Sequence, residues 1–516
     1  MNPIWAVILP LLVIPFIQFF GEKRNNLREA SIIVTGLLLF LVNESIYQAV
    51  INGELAVSGE FVMMPGLSLA LSAEPLGVLF GLLASSLWVI TTVYSIGYMR
   101  GHNEQHQTRF YTCFAIALSA VMAAAYADNL LTLFVAYEML SLSTFPLVTH
   151  AGTDAARKAG RVYLGILLGG SIGLFLPAMV WVYAMTGTLD FVPGGIVDAE
   201  QFGPGLWVLL ALFVFGIGKA AVMPFHRWLP AAMVAPTPVS ALLHAVAVVK
   251  TGVFSLLKIV TYIFGVDTML ATGISEWLIV FPAATILIAS IIAFSKTNLK
   301  ARLAYSTISQ LSYIVLAALL ASSTAIVGGG LHILTHAFAK ITLFFCAGAI
   351  MVAAHKKDIR ELDGIGRQMP ITMLAFFIGS LGIIGLPPVA GVWSKVMIAQ
   401  GSLQSGEVWI LAVLMLSTLL NIGYLLPISI RAFYFAPPNA ADSEHAPKSE
   451  PAAESEHTSD AVQQADSATP ATAGHSVIQE APAASLWAIV MTATLSVLLF
   501  FYPQPVIELL EMIQWR

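Results

Sequence analysis

The chain has 516 residues, of which 58% are hydrophobic and only 10% charged, and its formal net charge is −5. Soluble domains carry about 25% charged residues, so a soluble globular protein is excluded. The net charge says little, because much of it lies in one acidic stretch, but the sequence has no basic patch of the kind that nucleic-acid binding requires. Apolar runs near the ~20 residues that cross a bilayer as helix recur from end to end.

Fourteen spans are predicted, at roughly 3–20, 30–50, 74–98, 110–126, 129–149, 161–186, 206–224, 237–261, 274–294, 302–321, 324–353, 372–405, 408–435 and 486–505. Met1–Phe20 lacks a basic leader and a small-residue cleavage site, so it is read as the first span. Cys113 and Cys346 fall inside apolar runs and are read as small buried residues, neither disulfide nor metal pair. Basic residues test the count. The odd-numbered connections hold Lys23, Arg24, Arg28; Arg100, Arg109; Arg157, Lys158, Arg161; Arg227; Lys296, Lys300, Arg302; Lys356, Lys357, Arg360, Arg367; and Arg431, Lys448. These are 18 of the 24 Lys and Arg; five more lie within spans and Arg516 is the last. The even connections carry Glu54, Glu60, Asp190, Asp198, Glu200, Asp267 and Glu407. The positive-inside rule then puts the odd connections in the cytoplasm and both termini outside.

The spans divide into a three-helix segment (1–109), a first five-helix unit (110–262), a second (274–435) and a C-terminal helix (486–516). Residues 437–484 are rich in Ala, Ser, Glu, Asp and Pro and are predicted to be a disordered cytoplasmic loop. Its His445, His457 and His475 are too far apart to make a metal site. Two spans are broken: the seventh by Gly216, Gly218 and Pro224, the twelfth by Gly382, Gly385, Pro387, Pro388 and Gly391. They lie five spans apart, as in an inverted repeat of spans 4–8 on spans 9–13. The fold class expected is an all-α polytopic membrane protein.

Charged residues inside the spans carry the functional signal, because each costs about 2.5–3.5 kcal/mol at the bilayer centre on insertion scales. Glu138 lies mid-span in LLTLFVAYEMLSLSTF and needs a cation, for which Lys219 is the natural candidate. Lys219 follows thirteen apolar or glycine residues, Leu206 to Gly218, so snorkelling to the interface is strained. Lys250 is deeper; His244 precedes it by six residues and Lys258 follows by eight, a little over two turns along one face. A desolvated lysine can take and release a proton. Lys258, near the outer helix end, reads equally as a relay member or a snorkelling residue. His332, His336 and Lys340 run at i, i+4, i+8, one stripe of proton-active groups. The alternative, core histidines bonded to backbone, is less favoured with Lys340 in line; zinc is rejected because HExxH chemistry lacks its glutamate here. Lys395 follows the second break.

At these residues a resemblance becomes specific. GKAAVMPFHRWLPAAMVAPTPVSALLHAVAVVKTGVF resembles the hallmark segment of the antiporter-like subunits of respiratory complex I and of Mrp-type cation/proton antiporters. The span count, Glu138 and HAFAK match too, and the D-type subunit of the Mrp antiporters is the nearest likeness. The resemblance implies a proton half-channel in each repeat. Glu138 and Lys219 would be the coupled pair of the first, Lys250 the central relay, and Lys395 the lysine of the second. His244, His332 and His336 would line the polar axis, with Lys340 and Lys258 as further relay groups. The chain departs from many complex I relatives at Ala231, where they carry an acid after WLP, and in lacking a long lateral helix after the last span.

The function expected is therefore proton translocation within a multisubunit monovalent cation/proton antiporter of a prokaryotic inner membrane. No cofactor and no metal are expected. The partners expected are other membrane subunits, lipid, protons and Na⁺ or K⁺, without nucleic acid. The alternatives are a membrane component of a complex I-like or hydrogenase redox complex, the energy-coupling component of an inorganic-carbon transporter, or a purely structural membrane protein, which fits badly with so many buried charges.

Overall fold

The computed structural model describes residues 2–54, 56–436 and 478–513. The expected disordered loop falls almost wholly outside the described residues, as do its histidines, Lys448 and Arg516. Among the described residues the fold is helical but for a short antiparallel hairpin, Phe61–Met64 with Leu67–Leu69, which alternation in the sequence did not suggest.

Among the described residues ten helices are long and apolar enough to cross a membrane. The other four expected spans fall on Ile4–Phe20, Val280–Ser295, Leu299–Leu319 and the pair Pro370–Ile384 and Gly391–Gln404, which are shorter, less apolar or interrupted. Local chemistry sets several boundaries. The Asn129 side chain accepts from the Thr132 amide at 2.8 Å and Asn298 from Ala301 at 3.1 Å, satisfying donors that a helix start leaves free. Pro75 and Pro370 begin helices where a missing N–H costs nothing.

Burial orders the helices. Thr237–Phe264 is buried along its whole apolar length, and Ser323–Ala354 along most of it, whereas Asn25–Ile51 is largely exposed at the periphery. The two innermost helices carry His244, Lys250, Lys258, His332, His336 and Lys340. Ionisable side chains are tolerated at that depth because they face protein and one another instead of lipid.

The connections sort by charge. At one end Arg28 donates to Gln107 and Thr108, Arg109 to the His150 carbonyl, and Arg302 to the Lys296 and Tyr424 carbonyls. Arg431 holds Asp363 through two bonds of 2.8 and 2.6 Å at the same end. The opposite end gathers Glu54, Glu74 and Asp128 around one cavity. We call these the basic and acidic ends.

Candidate functional site

Each helix break presents unpaired backbone, and a lysine sits at each. After Ala199–Gly216 the chain makes a short turn, Gly218–Ala220, that carries Lys219 with no exposed surface. Its ammonium donates to the Tyr137 carbonyl at 2.8 Å and the Ser141 hydroxyl at 2.6 Å, and lies 3.1 Å from the centre of the Tyr137 ring. The Lys219 amide donates to the Tyr137 hydroxyl at 3.1 Å, and the Trp228 indole to the Gly218 carbonyl at 2.9 Å. At the second break, the Lys395 ammonium donates to the carbonyls of Ile383 and Ile384 at 2.8 and 2.9 Å. These are end carbonyls of Pro370–Ile384, left without intrahelical partners, and a cation is favoured there.

Glu138 corrects one expectation. Its two carboxylate oxygens are shut from solvent and have no hydrogen-bond partner among the described residues, and the Lys219 ammonium is held by Tyr137 and Ser141. Tyr137 and Ser141 are i and i+4 and share a stripe facing Lys219; Glu138 is turned about 100° from Tyr137. That places it on the side of exposed Val135 and Leu142. Direct pairing of Glu138 with Lys219 is not made in this structure.

Lys250 is fully buried and its ammonium lies 2.7 Å from His336 Nδ1. The His336 and His332 rings stack with centroids 5.8 Å apart. His332 Nδ1 lies 2.8 Å from the Ser394 hydroxyl, and its ring stacks on Tyr313 with centroids 5.6 Å apart. Lys395, next to Ser394, lies 4.9 Å from the centre of that Tyr313 ring. Lys250, His336, His332 and Lys395 thus form one line joining the two central helices to the second break.

Lys340 is not in that line. Its ammonium donates to the Ser306 hydroxyl at 2.9 Å and reaches the Leu303 carbonyl at 3.4 Å; Tyr424 donates to the same serine at 3.0 Å and to Asn421. Eight residues turn a helix about 80° beyond two full turns, so the i, i+4, i+8 stripe drifts off. His244 sits in a wide π-helical turn, Leu242–Val246, with its ring 5.0 Å from Phe344 and neither nitrogen hydrogen-bonded to a described residue. Such turns are frequent at functional sites.

Lys258 does not snorkel. It is 2% exposed, pairs with Glu74 at 2.7 Å, and donates to the Ala127 carbonyl at 2.6 Å. It lies under a cavity of about 390 Å³ at the acidic end, also lined by Glu54 and Asp128. Burial pushes the Asp128 carboxyl up from the usual carboxylate range, against the pull of Lys258. At the basic end a cavity of about 300 Å³ is lined by Tyr98, His102, Glu104, Lys300 and Lys357 and reaches Thr237. Thr237 begins the helix that carries His244 two turns further on.

Sequence reading missed Ser141, Ser306, Tyr313, Ser394 and Tyr424. A hydroxyl in an apolar helix normally bonds its own preceding turn, as Thr251 does to the Ala247 carbonyl, so its presence alone points nowhere.

The Lys219 turn is packed against Gly252 of the central helix, where an added Cβ would collide with the backbone of Lys219 and Ala220. Gly252→Ala is expected to cost about 1–3 kcal/mol as overpacking and to displace the Lys219 turn. Thermal inactivation of detergent extracts, read beside transport, checks both effects.

Comparison with known proteins identifies the family. Over 423 residues the chain is 31% identical to NAD(P)H-quinone oxidoreductase subunit 5, organellar chromatophore 1, of Paulinella chromatophora, spanning 76% of this chain and 62% of that one. Over 437 residues it is 30% identical to the A subunit of the Na(+)/H(+) antiporter of Alkalihalophilus pseudofirmus, spanning 78% of this chain and 52% of that one. The match therefore covers about half to three-fifths of these relatives' own length. Its fold matches a chain of the Mrp complex from Dietzia sp. DQ12-45-1b with TM-score 0.75 and 21% identity, covering 98% of this chain and 96% of that one. Residues 127–421, which contain both breaks and the five lysines within the spans, match the model of the NADH:quinone oxidoreductase/Mrp antiporter membrane family, and the chain belongs to that family.

Proposed function

We propose that this chain is the proton-translocating subunit of a multisubunit monovalent cation/proton antiporter, with the D-type subunit of the Mrp antiporters as its counterpart. The observation that carries this reading is the line Lys250, His336, His332 and Lys395, buried proton-active groups running between two broken helices. An immobile structural core would gain nothing from such groups, since apolar residues of similar volume pack there at no desolvation cost. In this reading residues 110–262 and 274–435 are two inverted five-helix units, each with one break, within fourteen crossings. The sorting of connections into a basic and an acidic end supports that count, and the positive-inside rule makes the basic end cytoplasmic, with loop 437–484, and both termini outer. Lys219 is the switch of the first half-channel, Lys250 the relay and Lys395 the switch of the second. Glu138 acts on Lys219 through the field between them.

A second reading, a proton-pumping component of a quinone-reducing complex, is favoured by the relative from Paulinella chromatophora. Any redox cofactor would then lie on other subunits. The two separate in everted vesicles from cells carrying the whole assembly. Once respiration has built a pH gradient, added NaCl or KCl should collapse it within seconds, and vesicles lacking this chain should not respond. No cation response in vesicles that contain the full assembly, together with NADH:quinone activity in the purified complex, would overturn the antiporter reading.

A further inference from the structure

The proposed relay uses Lys250 but not Lys258, eight residues further along the same helix. At 1.5 Å per residue the two are about 12 Å apart along the axis. Between them, at i+4 from one and i−4 from the other, stands Phe254, with no exposed surface. Its ring packs on Phe80 at 4.9 Å and lies 5.8 Å from the Lys258 ammonium. The nearby hydroxyls of Thr251 and Ser255 are bonded to carbonyls of their own helix, at Ala247 and Thr251. Between the two lysines the helix therefore presents an aromatic ring and no free hydroxyl. Beyond it lies the Lys258–Glu74 pair, under the acidic cavity with Glu54 and Asp128.

We infer that Phe254, backed by Phe80, is a barrier separating the central relay from a second proton terminus, the Lys258–Glu74 pair, which opens to the acidic end of the protein. This rests on the reading of the chain as a proton carrier. With the ring in place, protons on Lys250 and His336 travel only toward Lys395. With the ring displaced and water in its volume, a proton on Lys250 passes through that water to the Lys258–Glu74 pair and on to water in the cavity; Lys250 is reloaded from the relay, and no bond other than N–H and O–H changes. The pair holds the acidic side of the barrier polar, and the phenyl ring keeps the gradient from short-circuiting across half of the central helix.

The test is proton leak in proteoliposomes holding the complete assembly, with a pH gradient imposed by dilution and no exchangeable cation present. The wild type should hold the gradient, Phe254→Ala should leak about tenfold faster, and Phe254→Trp should stay tight. The double variant F254A/K258M should leak several-fold more slowly than Phe254→Ala, because the lysine of the acidic-side terminus is gone. Where Phe254→Ala does not assemble, Phe80→Ala carries the same test and should leak. A wild-type leak rate in an assembled Ala variant, or a leak that persists undiminished in the double variant, overturns the barrier. Cation-driven proton movement is read in the same wild-type vesicles: if it is absent the carrier reading fails and the barrier with it, whereas exchange without leak in the variants sinks the barrier alone.

Discussion

Lys250→Met should abolish coupled proton movement while leaving the protein assembled. Among the described residues the ammonium of Lys250 is the one group within hydrogen-bond distance of His336 Nδ1, and it starts the line that ends at Lys395. Methionine fills nearly the same volume with no charge to desolvate, and replacing a buried ionic group by an apolar one of like size is often neutral or stabilising. A stability loss is therefore not expected, and a transport loss is. Positioned proton donors and acceptors are typically worth about 10²–10⁴-fold in rate, so exchange should fall at least a hundredfold. Everted-vesicle rates normalised to assembled complex measure this. Exchange within a few-fold of wild type, at normal complex levels, would remove Lys250 from the path. Lys250→Arg should not rescue, because guanidinium keeps its proton at any physiological pH.

Lys219→Ala should have the second-largest effect, with a different signature. Its ammonium has three recipients on one neighbouring helix: the Tyr137 carbonyl, the Ser141 hydroxyl and the Tyr137 ring. Truncation empties a buried site, so a stability loss of about 2–5 kcal/mol accompanies the functional one, as for other large-to-small core changes. Lys219→Met separates the two, since it fills the space. We expect Lys219→Met to restore normal assembly and still block exchange, whereas recovery of exchange with assembly would make Lys219 a packing residue. Ser141→Ala, which removes one acceptor of three, should slow exchange by less than either. The comparison is made on the same vesicles, with complex content quantified by blotting.

What can be read in the sequence follows from what costs free energy. A lysine inside an apolar run is expensive whatever its surroundings, so Lys219, Lys250, Lys258, Lys340 and Lys395 stand out as a set, and all five are hydrogen-bonded to protein groups in the structure. Glycine and proline mark breaks just as plainly, which is why both interruptions are legible. Pairings are not, because they depend on rotation about helices whose neighbours are unknown. Depth alone matches Glu138 with Lys219, and depth is blind to the 100° between Glu138 and Tyr137. The His332, His336 and Lys340 stripe is sound for its first two members and drifts for the third. Lys258 reads equally as a relay member or a snorkelling residue because its partner, Glu74, sits on a different helix start more than 180 residues away in the chain. Uncharged partners such as Ser394 and Tyr313 acquire meaning only once a histidine is seen against them.

The ammonium at Lys395 closes the end of a helix. It serves the carbonyls of Ile383 and Ile384 with charge-assisted bonds, and such bonds are roughly twice as strong as neutral ones. A neutral amine could still reach both oxygens, but with weaker bonds and without the favourable term from the helix dipole. The protonated and neutral forms would therefore hold that helix end with different strength, directly before the segment from Gly385 to Gly391. For the proposed relay, proton occupancy at this lysine would therefore bear on the backbone at the break as well as on its charge.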